Sequence, residues 1–274
     1  MIVVDNASSD GSADMVAKDF PWVNLIRNSE NRGFGAANNQ GLEVITGELA
    51  LLLNSDARLT MEQIRVLAAQ FGVPGIVAAG PSQVSDDGKF IPSAANQLTL
   101  WAVFCEQTLL EKLLPFWPFS SYWISSSVTE SCDVEQVMGA CLMFRPIEQF
   151  DERFFLYCED TELCRRLRDH GRIRYVPEVK CRHTLGASSK SARWLSVARY
   201  NRGKELYFAI HHGRIAMALC WLMNRMGALL RCVIWMIPMI LTLGFVRRFQ
   251  SQVALFARVL TAPLTGPARP TGKR

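Results

Sequence analysis

From Ile2 to Leu53 the chain alternates strand-like and helix-like runs with short links, which restricts it to an α/β architecture. Ile2–Val4 is a short β-branched run that ends at Asp5 and is followed by a Ser/Asp/Gly turn. Ala13, Val16, Ala17 and Phe20 then recur at the spacing of one helix face, and Pro21 stops that helix. Val23–Ile26 reads as a second strand, Gly35–Ile45 as a helix of small residues, and Leu49–Leu53 as a buried third strand. Such units build a largely parallel sheet whose ligands gather at the carboxyl ends of the strands. Asp5, Asn28 and the triplet Asn54, Ser55 and Asp56 lie at those ends.

Further along, Val134–Phe144 is expected to form a strand, Asp160–Asp169 a helix and Ile173–Val176 another strand. Residues 72–130 are punctuated by Pro, Gly and Ser and contain the aromatic patch Phe116–Trp123. They read as an insertion that shapes an acceptor pocket, or as a loop over the site.

Charge divides the chain sharply. Through Ser189 there are 16 basic against 24 acidic residues, a net of −8; from Lys190 there are 14 basic residues and one acid, Glu205, a net of +13. The arginines of that second part are interleaved with long apolar runs, which fits an anionic membrane surface and disfavours nucleic acid as partner. Cys232–Val246 carries no charge, but it is short for a span and contains Pro238. Extending it back to Ile215 admits Asn224, Arg225 and Arg231. An interfacial helix or re-entrant hairpin is therefore expected ahead of a membrane span, with a buried helical pair or a dimer interface as the alternative to both. The resulting division is a catalytic domain over 1–190, basic membrane-associating helices over 191–261 and a disordered tail over 262–274. The eight cysteines lack CxxC spacing and sit in apolar surroundings, as reduced, buried residues of a cytosolic protein do. No secretory pattern opens the chain, which begins directly with a strand-like run.

Several polar positions suit chemistry on a phosphate-bearing ligand. A carboxylate at Asp5 can accept from a nucleobase imide or a ribose hydroxyl, whereas Asp10 and Ser12 read as caps of the following helix. Asn31, Arg32, Gly33, Phe34 and Gly35 start a helix whose glycines permit close backbone approach. Asp56, just past a buried strand, suits a divalent cation bridging two phosphates. Glu159 and Asp160 begin a helix behind Phe154, Phe155 and Tyr157, where an apolar wall could hold a sugar ring beside a base. His183 follows a strand and is a candidate metal ligand. No GxGxxG follows the first strand, which disfavours a dinucleotide-dependent oxidoreductase.

The segments VVDNASSDGS, LIRNSENRGFGAANNQG, LLLNSDA, MGACLMFR, FDERFFLYCEDTELCRRLR and RYVPEVKCRHTLGASS resemble glycosyltransferase family 2, in its rhamnosyltransferase-like branch. The resemblance covers most of residues 1–189. It implies a GT-A (Rossmann-like) fold, a mixed and mostly parallel sheet with flanking helices, here with a C-terminal hydrophobic helical segment. It also implies a nucleotide-diphospho-sugar donor, a divalent metal (Mg or Mn), inversion at the anomeric carbon, and a lipid-linked or glycan acceptor at the cytoplasmic face of the inner membrane. Matched by position, Asp5 would hold the base or ribose, and Asn6, Ser8, Asn31, Gly33 and Asn54 would join it around the nucleotide sugar. Asp56 would bind metal and diphosphate, His183 would assist that metal, Asp160 would deprotonate the acceptor, and Glu159 would contact it. Two departures stand out. Ser55 and Ala57 replace the Pro and Thr frequent in relatives. The family also begins with a further strand and helix, the strand lying between Ile2–Asp5 and Leu49–Leu53. Without it, both neighbours are expected to lack hydrogen-bond partners on one edge, and a truncated, non-catalytic remnant is the competing expectation.

Overall fold

The computed structural model describes residues 1–116, 118–119, 122–124, 126–184 and 193–263. The chain forms two compact units, Met1–Asn96 with Trp123–Leu185, and Gln97–Tyr122 with Gly186–Arg274. The expected boundary at residue 190 lies outside the described residues, as does most of the expected disordered tail.

The first unit opens with β1 (Ile2–Asp5), α1 (Ser12–Asp19), β2 (Asn24–Arg27), α2 (Phe34–Glu43), β3 (Ala50–Leu53) and β4 (Ala57–Arg58). It continues through α3 (Met61–Ala69), β5 (Ile76–Val84), β6 (Phe90–Ile91) and β7 (Ala94–Ala95). After α4 (Leu100–Gln107) and α5 (Leu110–Leu113), which belong to the second unit, the chain returns. It then forms β8 (Cys132–Val134), β9 (Gln136–Val137), β10 (Cys141–Phe144), α6 (Glu159–Leu167) and β11 (Arg172–His183). The second unit is completed by α7 (Arg193–His211), α8 (Gly213–Leu241) and α9 (Arg247–Thr261).

The early elements form where expected, within a residue or two of their bounds. Their pairing is less simple than one continuous sheet. β1 and β2 are parallel and make a sheet of their own, while β3 joins a seven-stranded sheet of order β3-β10-β5-β11-β4, with β6 on β5 and β8 on β11. The β5–β11 ladder is parallel and is the spine of this mixed sheet; β10 runs antiparallel to both β3 and β5. β1 pairs only with β2, and β3 only with β10, so each has a free edge among the described residues. Helix α2 serves both sheets. A Cβ at Gly41 would touch Val4 and Ile2 at 3.8 and 3.9 Å, whereas Leu42 and Ile45 pack on the core made by Leu52, Leu142, Phe144, Leu163 and Tyr175.

Three expectations are corrected. Residues 76–84, read as part of an irregular insertion, are the core strand β5, buried from Ile76 to Gln83. Gly80 and Pro81 disguise it. Gly80 is needed because Val137 Cβ would lie 2.7 Å from an added Cβ, and Pro81 sits beside a register shift in β11 between Val176 and Lys180. The single strand expected over 134–144 is instead β8, β9 and β10, interrupted at Glu135 and again around Gly139. The strand expected to stop at Val176 continues through that irregularity to His183, which is its last residue and not a loop residue beyond it.

In the second unit Pro238 does not interrupt α8, which runs 29 residues and ends three residues after the proline. It is long and apolar enough to cross a membrane by length and composition, and only 28% of its most apolar window is buried. Asn224, Arg225 and Arg231, which spoiled that run in the sequence, are consumed internally. Asn224 Nδ2 donates to Glu205 Oε1 at 3.0 Å, and Arg231 Nη1 donates to Gln107 O at 2.8 Å. Arg225 caps α9 through Val259 O at 2.7 Å and Ala262 O at 2.6 Å. The fully buried Lys204 pairs with Glu106 at 2.7 Å. Exposed Ile215, Leu219, Leu222, Met226, Val233 and Ile237 remain on the outside of the helix.

Candidate active site

The polar positions singled out in the sequence fall into two clusters within the first unit. The first cluster is a rim of amides. Asn6 Nδ2, just past β1, donates to Asn31 Oδ1 and Gly33 O, both at 3.0 Å. Its Oδ1 accepts from Arg32 N at 3.0 Å and from Asn28 Nδ2 at 3.2 Å. Asp5 holds its own loop, accepting from Ser8 N at 3.3 and 3.4 Å. Asp10 likewise accepts from Ser12 N at 3.0 Å at the start of α1, with Gly11 rather than a capping side chain at the helix boundary. These contacts leave Asp5 and Asn6 half-buried and Ser8 and Asn31 exposed around one loop cluster.

Gly33 explains the geometry of that rim. Its φ is +94°, and an added Cβ would lie 2.6 Å from Phe155 O, the atom that accepts from Phe34 N at 2.9 Å. The α2 start is thereby fastened to the 150–155 loop. Asn39, buried inside α2, fastens the other end of that loop by exchanging hydrogen bonds with Phe150 at 2.8 and 3.0 Å. Asn28 was singled out at a strand end, but neither Asn39 nor Gln40, the reciprocal partner of Asn28, was. Three consecutive amides, Asn38 to Gln40, inside a small-residue helix were the available signal.

The second cluster brings Asp56, His183 and Asp160 to neighbouring strand ends. His183 is buried, and its Nε2 lies 3.2 Å from Asp56 Oδ1. Thr184 N donates to Asp56 O at 2.9 Å, which clasps the two chain segments. Asn54 N donates to Ala140 O at 3.0 Å, and the adjacent Gly139 N donates to Asp160 Oδ2 at 2.9 Å. Phe34 links this cluster to the rim, because a Cβ at Gly139 would meet both Phe34 Cε1 and Asp160 Cβ at 3.3 Å. Gly139 was not recognised as a site residue in the sequence, where it only marked an apolar strand.

Asp160 accepts from Thr161 N at 2.8 Å with its other oxygen, so its carboxylate is fixed on both sides. Burial raises its pKa, against the pull of the Gly139 and Thr161 amides. Glu159 is buried and its pKa is pushed well above the ordinary range, first by burial and then by the charge of Asp160; its Oε2 has no hydrogen-bond partner among the described residues. The chain enters this helix through Tyr157 and Cys158 at φ +76° and +67°, a costly conformation for residues with a Cβ. No sequence signal marks it, since neither is glycine or asparagine. α6 is held behind the site by buried Glu162, which accepts from Arg166 Nε at 2.8 Å while Arg166 also pairs with Glu148.

A raised folded-state pKa at Glu159 has a definite sign. The stability tied to its neutral form is present at low pH and is lost as pH rises through the folded pKa. Glu159→Gln copies the neutral form. Thermal unfolding followed from acid to mildly alkaline pH should show a flatter decline for this variant than for the natural protein; parallel curves would contradict it.

Two metal ligands could come from this cluster, although no group of three or more His, Cys, Asp or Glu that could hold a metal gathers among the described residues. Asp56 and His183 alone fit a hard divalent cation that completes its shell with substrate phosphate and water. All eight cysteines are free, and seven are buried, so none competes as a ligand set.

Residues 1–122 match the family model described as "Glycosyl transferase family 2". The N-acetylglucosaminyl-diphospho-decaprenol L-rhamnosyltransferase of Mycobacterium tuberculosis is 26% identical over 236 residues, covering 77% of this chain and 75% of that protein. The low-salt glycan biosynthesis hexosyltransferase Agl10 of Haloferax volcanii is 28% identical over 178 residues, covering 61% of this chain and 52% of that protein. Among solved structures, GalNAc-T7 with UDP, GalNAc and Mn2+ superposes with a TM-score of 0.50 at 14% identity, over 76% of this chain and 43% of that one. At that identity the likeness concerns the fold, and it agrees with the GT-A arrangement of a mixed sheet flanked by helices.

Proposed function

Since its first 122 residues match the model of glycosyl transferase family 2, we propose that the chain is an inverting, metal-dependent glycosyltransferase. It moves a sugar, rhamnose being the leading candidate, from a nucleotide-diphospho-sugar to a lipid-linked or polysaccharide acceptor in cell-surface glycan synthesis. The observation that carries this reading is the 3.2 Å approach of His183 to Asp56, with Asp160 tied to the same strand ends through Gly139.

In this reading the amide rim of Asn6 and Asn31, with Asp5, Ser8 and the Gly33 turn, receives the nucleotide, and Asn54 lines the way to the diphosphate. Asp56 and His183 would hold Mg or Mn, whose charge stabilises the diphosphate as it leaves. Asp160, fixed by two backbone amides, takes the proton from the attacking acceptor hydroxyl on the face opposite the leaving group. Its raised pKa makes it a better base than an exposed aspartate. Glu159, whose burial favours its neutral form, sits beside it to contact the acceptor. The exposed apolar side of α8, with exposed Arg214, Arg247 and Arg248, supports association with an anionic cytoplasmic membrane face, where a lipid-linked acceptor would be met.

The test is incubation with Mn2+, a polyprenyl-diphospho-sugar acceptor in anionic vesicles, and dTDP-, UDP- and GDP-sugars in turn. One donor should be consumed with transfer to the lipid and inversion at the anomeric carbon. Consumption of none, or retention of configuration, overturns the reading.

A further inference from the structure

Gln83 is wholly buried on β5, opposite Cys181 of β11 and one strand from the end that carries His183. Its Oε1 lies 2.8 Å from His183 Nδ1, while its Nε2 has no hydrogen-bond partner among the described residues. A buried primary amide left half-satisfied is unfavourable, and an apolar side chain of similar size would avoid that loss. What the amide does accomplish is chemical. Its oxygen can only accept, so it takes the N–H on Nδ1 and leaves the lone pair of a neutral imidazole on Nε2.

That lone pair faces Asp56 Oδ1 at 3.2 Å. A carboxylate oxygen and an imidazole nitrogen at that distance attract a shared positive charge, whether a proton on Nε2 or a cation close to both. The arrangement thus readies a site for positive charge, and the ring is oriented from behind by a neutral group that does not compete for the cation. We propose that Gln83 is a positioning residue that keeps His183 in the Nδ1–H form, so that Nε2 and Asp56 together hold the divalent cation. This rests on the reading of Asp56 and His183 as the metal-holding pair. Outer-shell partners of this kind commonly change metal affinity by about 10–100-fold.

The test compares the natural protein with Gln83→Leu, Gln83→Glu and His183→Ala. Mn2+ affinity is read from the free-ion electron paramagnetic resonance signal with metal alone, and the His183 tautomer from 15N shifts of histidine-labelled protein. Gln83→Leu should weaken Mn2+ binding about 10–100-fold and lose the single tautomer. Gln83→Glu, which keeps an acceptor at that place, should restore both even if its folding is less stable. Unchanged affinity and tautomer in a folded Gln83→Leu, alongside lost affinity in His183→Ala, overturns the role of Gln83 and leaves the metal pair standing. If His183→Ala also binds Mn2+ like the natural protein, the pair itself falls, and the positioning role with it.

Discussion

Asp160→Asn is expected to lower sugar transfer by roughly 10²–10⁴-fold, the usual contribution of a positioned general base, with donor affinity nearly unchanged. The substitution keeps the size of the side chain and one of its two acceptor contacts. Asparagine cannot accept from both Gly139 N and Thr161 N with oxygen, so one backbone amide loses its partner. That loss costs about 1–3 kcal/mol, too little to unfold a domain of ordinary stability. Turnover under saturating donor, with a melting curve to confirm folding, separates the chemical effect from the structural one. Turnover within a few-fold of the natural protein would show that Asp160 is not the base.

Gly33→Ala should give a large structural effect for a single methyl group. Its φ of +94° already disfavours a side chain, by about 1–3 kcal/mol. The added Cβ would also press 2.6 Å from Phe155 O, a backbone atom that moves only if the whole 150–155 loop moves. Relief therefore breaks the Phe34–Phe155 hydrogen bond and displaces Gly33 O from Asn6. A lowered melting temperature together with weakened donor binding is expected, because the same movement loosens the amide rim and the approach to Glu159. A stable variant that binds donor normally would mean that the glycine serves neither purpose.

Much of the first unit was legible because its signals are local. The helix face of Ala13, Val16 and Ala17, the stop at Pro21 and the apolar run before Asn54 depend only on residues close in sequence. Pairing was not legible. Nothing near Leu51 or Leu52 reveals that β10, far along the chain, is their neighbour, or that β1 and β2 stand as a separate pair. β5 was missed because Gly80 and Pro81 are loop residues by local rule, and only contact with Val137 and the irregularity in β11 make them strand residues. Among site residues, acids at strand and helix ends were visible as acids. Gln83 was hidden by its ordinary type, since only the proximity of His183 shows what its amide does. In α8, Arg225 and Arg231 looked like interruptions of an apolar run because their partners in α9 and α4 are remote in sequence.

The most direct test is calorimetric titration of the protein with dTDP-, UDP- and GDP-sugars, with Mn2+ and then with excess chelator, repeated on Asp56→Ala. One donor should bind with Mn2+, lose that binding to the chelator, and fail to bind the variant. Absence of binding by every donor, or binding that neither the chelator nor the variant alters, would contradict a donor site built on Asp56 and His183.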